Sequence, residues 1–69
     1  MNANRLRGKI VERGLNMREL ARLIGMSSAT LYRKMNNDAL SVREANQIIR
    51  VLQLNLADAV AIFFDKNVA

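Results

Sequence analysis

The chain of 69 residues contains no cysteine, histidine, proline or tryptophan. Without cysteine no disulfide can form, and without cysteine or histidine the usual ligands of a zinc site are missing. The longest apolar run, residues 59–64, is far shorter than the ~20 residues that a membrane-spanning helix needs. The N-terminus is polar and basic, without the apolar segment of a signal peptide. We therefore expect a cytoplasmic protein that binds no metal, other cofactor, small-molecule ligand or membrane.

No linker, repeat or low-complexity segment divides the sequence, which predicts one domain over residues 1–69. A domain of this size buries only about 60% of the surface of its unfolded chain. Its stability is expected to be marginal, unless a second subunit adds buried area.

Charge is distributed unevenly along the chain. Residues 1–37 carry eight basic and two acidic side chains, a net charge of +6, whereas residues 38–69 carry three basic and four acidic ones, a net charge of −1. A basic half on a small domain favours a polyanionic partner, because phosphate binding releases counterions. An ordinary solvated surface can have the same charge, so composition alone leaves both interpretations open.

Polar side chains and glycines indicate where helices begin and end. In a capping box, a short polar side chain accepts a hydrogen bond from an early helical N–H, and a Glu three residues later reaches back. Asn16 with Glu19 and Ser41 with Glu44 have this spacing. Further predicted caps are the N-caps Ser27 and Asn55 and the terminating glycines Gly14 and Gly25. The predicted helices cover residues 3–13, 17–24, 28–35, 42–52 and 56–65.

The third predicted helix has two different faces. At about 100° per residue, Ala29 and Arg33 lie opposite the apolar Leu31, and Tyr32 and Thr30 flank that outer face. Small residues near the start of a helix let its backbone approach base edges, and an arginine can bind a guanine or a phosphate. The helix is therefore expected to bury one side and to present a small, polar and cationic surface on the other.

The segment that contains this helix resembles a known family. The residues that carry the resemblance are Leu20, Ala21, Ile24, Gly25, Met26 and Leu31. Their spacing is similar to that of the helix-turn-helix of Cro- and repressor-type phage regulators, the xenobiotic-response-element-like family. The resemblance implies an all-α, compact five-helix lambda-repressor-like bundle with the helix-turn-helix at helices 2 and 3. It also implies double-stranded DNA as the partner, in a prokaryotic or phage-infected host cell.

Transferred position by position, the resemblance implies a DNA-binding surface. Ser28, Ala29, Tyr32 and Arg33 stand where relatives read bases. In relatives, the starts of these helices approach the DNA backbone, and here those positions are Met17, Arg18 and Ser27. The remaining predicted contacts are Thr30, Asn36 and Asn37. Capping alone would also explain Ser27 and Ser28, and a solvated face would explain Arg18.

Two positions depart from the pattern of the relatives. Met17 occupies a place that is often held by a glutamine, which in relatives helps to brace the base-reading side chain. Lys34 stands where many relatives have an apolar residue. We expect the Lys34 stem to lie over the edge of the core, with its ammonium near a phosphate.

The fifth predicted helix is apolar on every side. Between residues 56 and 64 only Asp58 is polar, and a domain this small cannot cover all of those faces. We expect Leu56, Val60 and Phe63 to face the core and the other side to form an exposed patch that mediates a homodimer. The predicted dimer interface consists of Ile62, Phe64 and Val68. The alternative is a wholly buried terminal helix in a monomer.

These features predict a sequence-specific transcription regulator, a repressor that binds a palindromic operator as a dimer. The alternative is a protein-interaction module, antirepressor-like or antitoxin-like, that uses the same scaffold. An enzyme is not expected, because none of the six carboxylates forms a convincing pair and no phosphate-binding glycine loop is present.

Overall fold

Five α-helices form the fold in a computed structural model that describes residues 1–64. They are α1 (Ala3–Glu12), α2 (Met17–Leu23), α3 (Ser28–Asn36), α4 (Val42–Leu52) and α5 (Leu56–Phe63). The described part of the chain has no β-strand, so the predicted all-α class is confirmed. Each helix begins at the predicted residue, and each ends within two residues of the predicted position. No helix in this part combines the length and apolar character that crossing a membrane requires.

The predicted N-terminal caps are all present. The Glu19 N–H donates to Asn16 Oδ1 over 2.8 Å, and the Asn16 N–H donates to Glu19 Oε1 over 3.1 Å. Ser41 and Glu44 form the same pair of hydrogen bonds, of 3.0 and 2.9 Å. Ser27 and Asn55 cap α3 and α5. A cap that the sequence analysis did not identify, Asn2, begins α1.

A left-handed residue follows or ends each of the first four helices. At the end of α2, Gly25 has a φ of +80°, and the N–H of the next residue, Met26, donates to the Ala21 carbonyl over 2.9 Å. This pattern closes the helix and redirects the chain at once. The other left-handed residues are Gly14, Asp38 and Gln53. Of these four residues only the two glycines were predicted. Asp38 and Gln53 were not, because residues with a side chain adopt the left-handed conformation in few contexts.

One hydrophobic core joins all five helices. The residues with the least exposed side chains are Leu6, Ile10, Leu20, Leu31, Ile48, Leu52 and Ile62. The helix-turn-helix contributes Leu20 and Ala21 from α2 and Leu31 and Met35 from α3, which pack together across the turn. This apolar contact holds α2 and α3 together as one pair.

The predicted orientation of α5 is wrong. Ile62, which was expected to be exposed, is 0% exposed, whereas Leu56 and Val60 are 80% and 46% exposed. The Asn2 N–H donates to the Ile62 carbonyl over 2.7 Å, so the start of α1 lies against this turn of α5. Ile62 and the buried Ala59, three residues apart, therefore face the core. Phe63 is half-buried and packs against the core as expected.

The outer side of α5 forms an apolar stripe of Leu56, Val60 and Phe64, which we call the α5 stripe. Leu56 and Val60 are four apart, so they lie on one face of the helix, and Phe64 is the C-cap residue four positions after Val60. The predicted exposure of Phe64 is confirmed, at 68%. Val68, the third residue of the predicted interface, lies outside the described residues.

Candidate nucleic-acid interface

The third helix, α3, presents the face that the helical spacing predicted. Leu31 and Met35 are buried against the core, and Ala29, Tyr32 and Arg33 are exposed. Arg33 forms no ion pair with any carboxylate of residues 1–64. Ala29 and Arg33 are four residues apart and therefore share the exposed side of α3, and an α-helix has the size that enters a major groove.

The other predicted DNA-binding residues differ in how far they are exposed. Arg18, Ser27, Asn36 and Asn37 are exposed, whereas Met17, Ser28 and Thr30 are half-buried. The Met17 side chain packs against the core, and together with Tyr32 it lines a cavity of about 280 Å³ between α1 and the helix-turn-helix. The start of α2 and the outer edge of α3 are thus neighbours.

The hydroxyl of Ser27 is used within the protein. Its Oγ accepts from the Thr30 N–H over 3.1 Å and donates to Thr30 Oγ1 over 2.9 Å. These bonds satisfy one of the N–H groups that the start of a helix leaves unpaired. Capping therefore explains the side chain of Ser27, and Thr30 is held in the same small network.

Lys34 differs from its prediction. Its Nζ lies 2.6 Å from Glu44 Oε2, in a salt bridge that links α3 to the N-terminal cap of α4. The ammonium is therefore paired with a carboxylate of the protein, a contact that was not predicted. The hydrogen bond from Lys34, and that from the Ser41 backbone N–H, hold the pKa of the Glu44 carboxyl below its ordinary value.

Arg7 of α1, which was not among the predicted site residues, lies at the opposite edge of α3. Its Nη2 donates to Asn36 Oδ1 over 3.2 Å, and its Nη1 donates to Asn4 Oδ1 over 3.2 Å. The guanidinium carbon lies 6.0 Å from the centroid of the Tyr32 ring. No sequence pattern indicates this contact, because it joins residues 25 and 29 positions apart that only tertiary packing brings together.

The two kinds of basic residue are used differently. Within residues 1–64 both lysines pair with carboxylates, whereas none of the eight arginines does so. Lys9 contacts Asp58 at 3.1 Å and Glu12 at 3.3 Å, and hydrogen bonds to these carboxylates raise the pKa of its ammonium. Five of the eight arginines lie between residues 5 and 22, so most of the cationic charge that no carboxylate of residues 1–64 pairs with is in the first part of the chain.

Comparison with known proteins bears on this surface. The model of the family described as the Cro/C1-type HTH (helix-turn-helix) DNA-binding domain matches residues 5–65. The comparisons with curated proteins and with solved structures gave no significant match. The matched range includes all of α2 and α3 and most of the chain. The chain therefore belongs to the family of Cro/C1-type HTH DNA-binding domains.

Proposed function

We propose that this DNA-binding domain is a sequence-specific transcription repressor that binds a palindromic operator as a homodimer. The observation that carries the proposal is the outer face of α3, where Ala29 and Arg33 are exposed and Arg33 pairs with no carboxylate of residues 1–64. An α-helix of this size fits the major groove, and the arginine fork matches the O6 and N7 acceptors of guanine. The protein would repress by occupying DNA that a polymerase needs.

Each residue of the interface has a role that its surroundings support. Arg33 reads a base, and the small side chains of Ser28 and Ala29 permit close approach of the backbone. Tyr32 donates its hydroxyl to a phosphate or covers a thymine methyl group. The other proposed backbone contacts are Arg18, Asn37, Asn36, Thr30, Met17 and Ser27, with Met17 acting through its main chain because its thioether is a weak acceptor and no donor.

The proposed dimer uses the α5 stripe in place of the predicted interface around Ile62. Phe64 stays in the interface, now beside Leu56 and Val60, which expose their apolar side chains. Residues 38–69 carry a net charge of −1, so two copies can meet there without strong repulsion and keep their basic halves for DNA. Twofold symmetry would repeat α3 about 34 Å away, one turn of DNA.

The size of the α5 stripe indicates how tightly two copies bind. An eight-residue helix is about 12 Å long, and stable dimers bury about 800 Å² on each partner. The three side chains of the α5 stripe bury less area than this, so we expect the two copies to associate weakly in free solution and more strongly on DNA. Light scattering at micromolar concentration, with and without DNA, measures the fraction of the protein that is dimeric. Monomer alone in both conditions would contradict the dimer.

A variant pair tests where the subunits meet. Val60→Gln places an amide in the centre of the α5 stripe, and Val11→Gln makes the same change at an exposed valine of α1, off the stripe. We expect Val60→Gln to abolish dimers while the free monomer keeps its helical content. Val11→Gln should leave the monomer–dimer equilibrium unchanged. Equal effects of the two substitutions would place the interface elsewhere.

The experiment that tests the function selects bound sequences from a random duplex library. A palindromic consensus with half-sites about one turn apart is expected for a dimer with two copies of α3. A reporter with this consensus over a promoter then tests repression. A library that yields no consensus would contradict sequence-specific binding.

A second function is favoured by the α5 stripe itself. Contiguous exposed apolar side chains are typical of protein interaction sites, so the domain could use the stripe to bind another regulator, as an antirepressor or antitoxin-like protein does. Salt dependence separates the two functions. Binding through several phosphates weakens steeply as salt rises, by a slope of about −0.9 for each phosphate, whereas a shallow slope and equal affinity for random duplex would favour the interaction module.

A further inference from the structure

The recognition helix α3 is held at both edges by charged side chains from other helices. On one edge Lys34 pairs with Glu44, the third residue of α4 and a member of its capping box. On the other edge the Arg7 guanidinium contacts Tyr32 and Asn36, which are four residues apart and therefore share one side of α3. One side chain of α1 thus spans two successive turns of the helix, at the border of its DNA-facing surface.

The contact with Asn36 determines which end of its amide faces outward. A guanidinium has only donors, so the amide must turn its oxygen to Arg7, as the 3.2 Å hydrogen bond shows. The two N–H groups of Asn36 are then directed away from Arg7. Phosphate oxygens are acceptors only, and this orientation offers them the end of the amide that they can bind.

The contact with Tyr32 restrains the ring in a comparable way. The guanidinium carbon lies 6.0 Å from the ring centroid, within the range of a cation–π interaction. Tyr32 is 43% exposed and borders the cavity that Arg7 and Met17 also line, so Arg7 is one of the neighbours that limit the rotation of its ring. The planar guanidinium can stack on a ring face and bond an amide at once, which the ammonium of a lysine cannot do.

We propose that Arg7 is a positioning residue for DNA recognition: from α1 it orients the Tyr32 ring and the Asn36 amide on α3 before DNA is bound. The proposal deepens the proposed DNA-binding function and rests on it. Arg7 supplies no base contact of its own. It increases the preference for the operator over random duplex, since the two side chains that it holds need less ordering when they meet DNA.

The competing role for Arg7 is a phosphate contact, and substitution distinguishes the two. Arg7→Lys keeps the charge and loses the planar fork, whereas Arg7→Met loses both. Arg5→Lys and Arg5→Met are matched controls, because Arg5 also belongs to α1 but lines a different cavity, with Lys9 and Asp58. The measurement is the ratio of the affinities for the selected operator and for random duplex, together with its salt dependence.

Positioning predicts that Arg7→Lys lowers the affinity ratio about three- to tenfold with an unchanged salt slope, and that the Arg5 variants leave the ratio unchanged. Arg7→Lys with a wild-type ratio would overturn the proposal. So would Arg7→Met that weakens both DNAs equally and reduces the salt slope by about 0.9, since that is the signature of a phosphate contact. A wild-type protein without operator preference would instead overturn the proposed function, and the positioning role with it.

A measurement without DNA tests the same role independently. Tyr32 is the only tyrosine and the chain has no tryptophan, so intrinsic fluorescence excited in the aromatic range reports on this ring. We expect Arg7→Met and Arg7→Lys to change the Tyr32 lifetime and to lower its anisotropy, while the helical content and the melting temperature stay near those of the wild type. Unchanged fluorescence in both variants would overturn the proposal.

Discussion

The two faces of α5 should respond very differently to the loss of apolar atoms. Ile62 is 0% exposed within the core, and Val60, two residues earlier, is 46% exposed on the α5 stripe. Ile62→Val removes one methylene and is expected to cost about 1 kcal/mol, within the range of roughly 0.5–1.5 kcal/mol for this change in a core. Val60→Ala removes two methyl groups at the surface and should cost no more than about 0.5 kcal/mol.

The expected change in melting temperature follows from the size of the domain. In a domain of 60–100 residues, 1 kcal/mol corresponds to about 4–8 °C, so Ile62→Val should lower the melting temperature by that amount. Ile62→Ala should cost about 2–5 kcal/mol, and the whole domain is expected to have only about 3–10 kcal/mol of stability. This variant is therefore expected to lose a large share of the domain's stability.

Thermal and urea denaturation, followed by circular dichroism, measures both changes. The protein concentration must be low enough to keep the chain monomeric, because dimerisation would add its own stabilisation. Because Ile62 is buried and Val60 is exposed, we expect the larger loss of stability for Ile62→Val, although this change removes fewer atoms. A larger loss for Val60→Ala would refute the orientation of α5 and, with it, the α5 stripe.

Local hydrogen bonding explains why most of the fold could be predicted from the sequence. A capping box joins residues three apart, so Asn16 with Glu19 can be recognised without knowledge of the tertiary structure. The apolar spacing of α2 and α3 likewise identified Leu20 and Leu31 as core residues. The helix-turn-helix and the outer face of α3 follow from these short-range signals.

The features that could not be predicted depend on contacts between distant residues. Apolar residues surround α5, so their periodicity does not identify a buried face. Ile62 is buried because its side of α5 packs into the core shared with the other helices, where the start of α1 lies against it. Lys34 has its carboxylate partner ten residues away, and Arg7 reaches Asn36 across 29 residues. Patterns within one helix contain no information about such pairs.

Two further predictions concern the capping box of α4 and the two glycines Gly25 and Gly8. Glu44→Gln removes the carboxylate that pairs with Lys34, so it should destabilise the protein at pH 7 by about 1 kcal/mol. The same change in the other capping box, Glu19→Gln, should destabilise it less. Because the folded pKa of Glu44 is lowered, its contribution is present above about pH 4.3, the ordinary pKa of glutamate, and is lost as the pH falls through the folded pKa. Urea denaturation between pH 7 and pH 3 should therefore converge for wild type and Glu44→Gln, and a constant difference would contradict this linkage. Gly25→Ala should cost about 1–2 kcal/mol at a φ of +80°, whereas Gly8→Ala inside α1, where a Cβ meets open space, should stabilise by roughly 0.8–1 kcal/mol. Thermal denaturation that gave the same sign for both glycines would contradict the assigned backbone.

The outer face of α3 is tested most directly by the binding of Arg33→Ala to the selected operator, to operators with single base changes and to random duplex. A base-reading Arg33 predicts a loss of ~1–3 kcal/mol for the operator, a smaller loss for random duplex, and relaxed preference at one base position in each half-site. Equal weakening of all these DNAs, with the base preferences intact, would show that Arg33 only neutralises phosphate and would contradict sequence reading by this face.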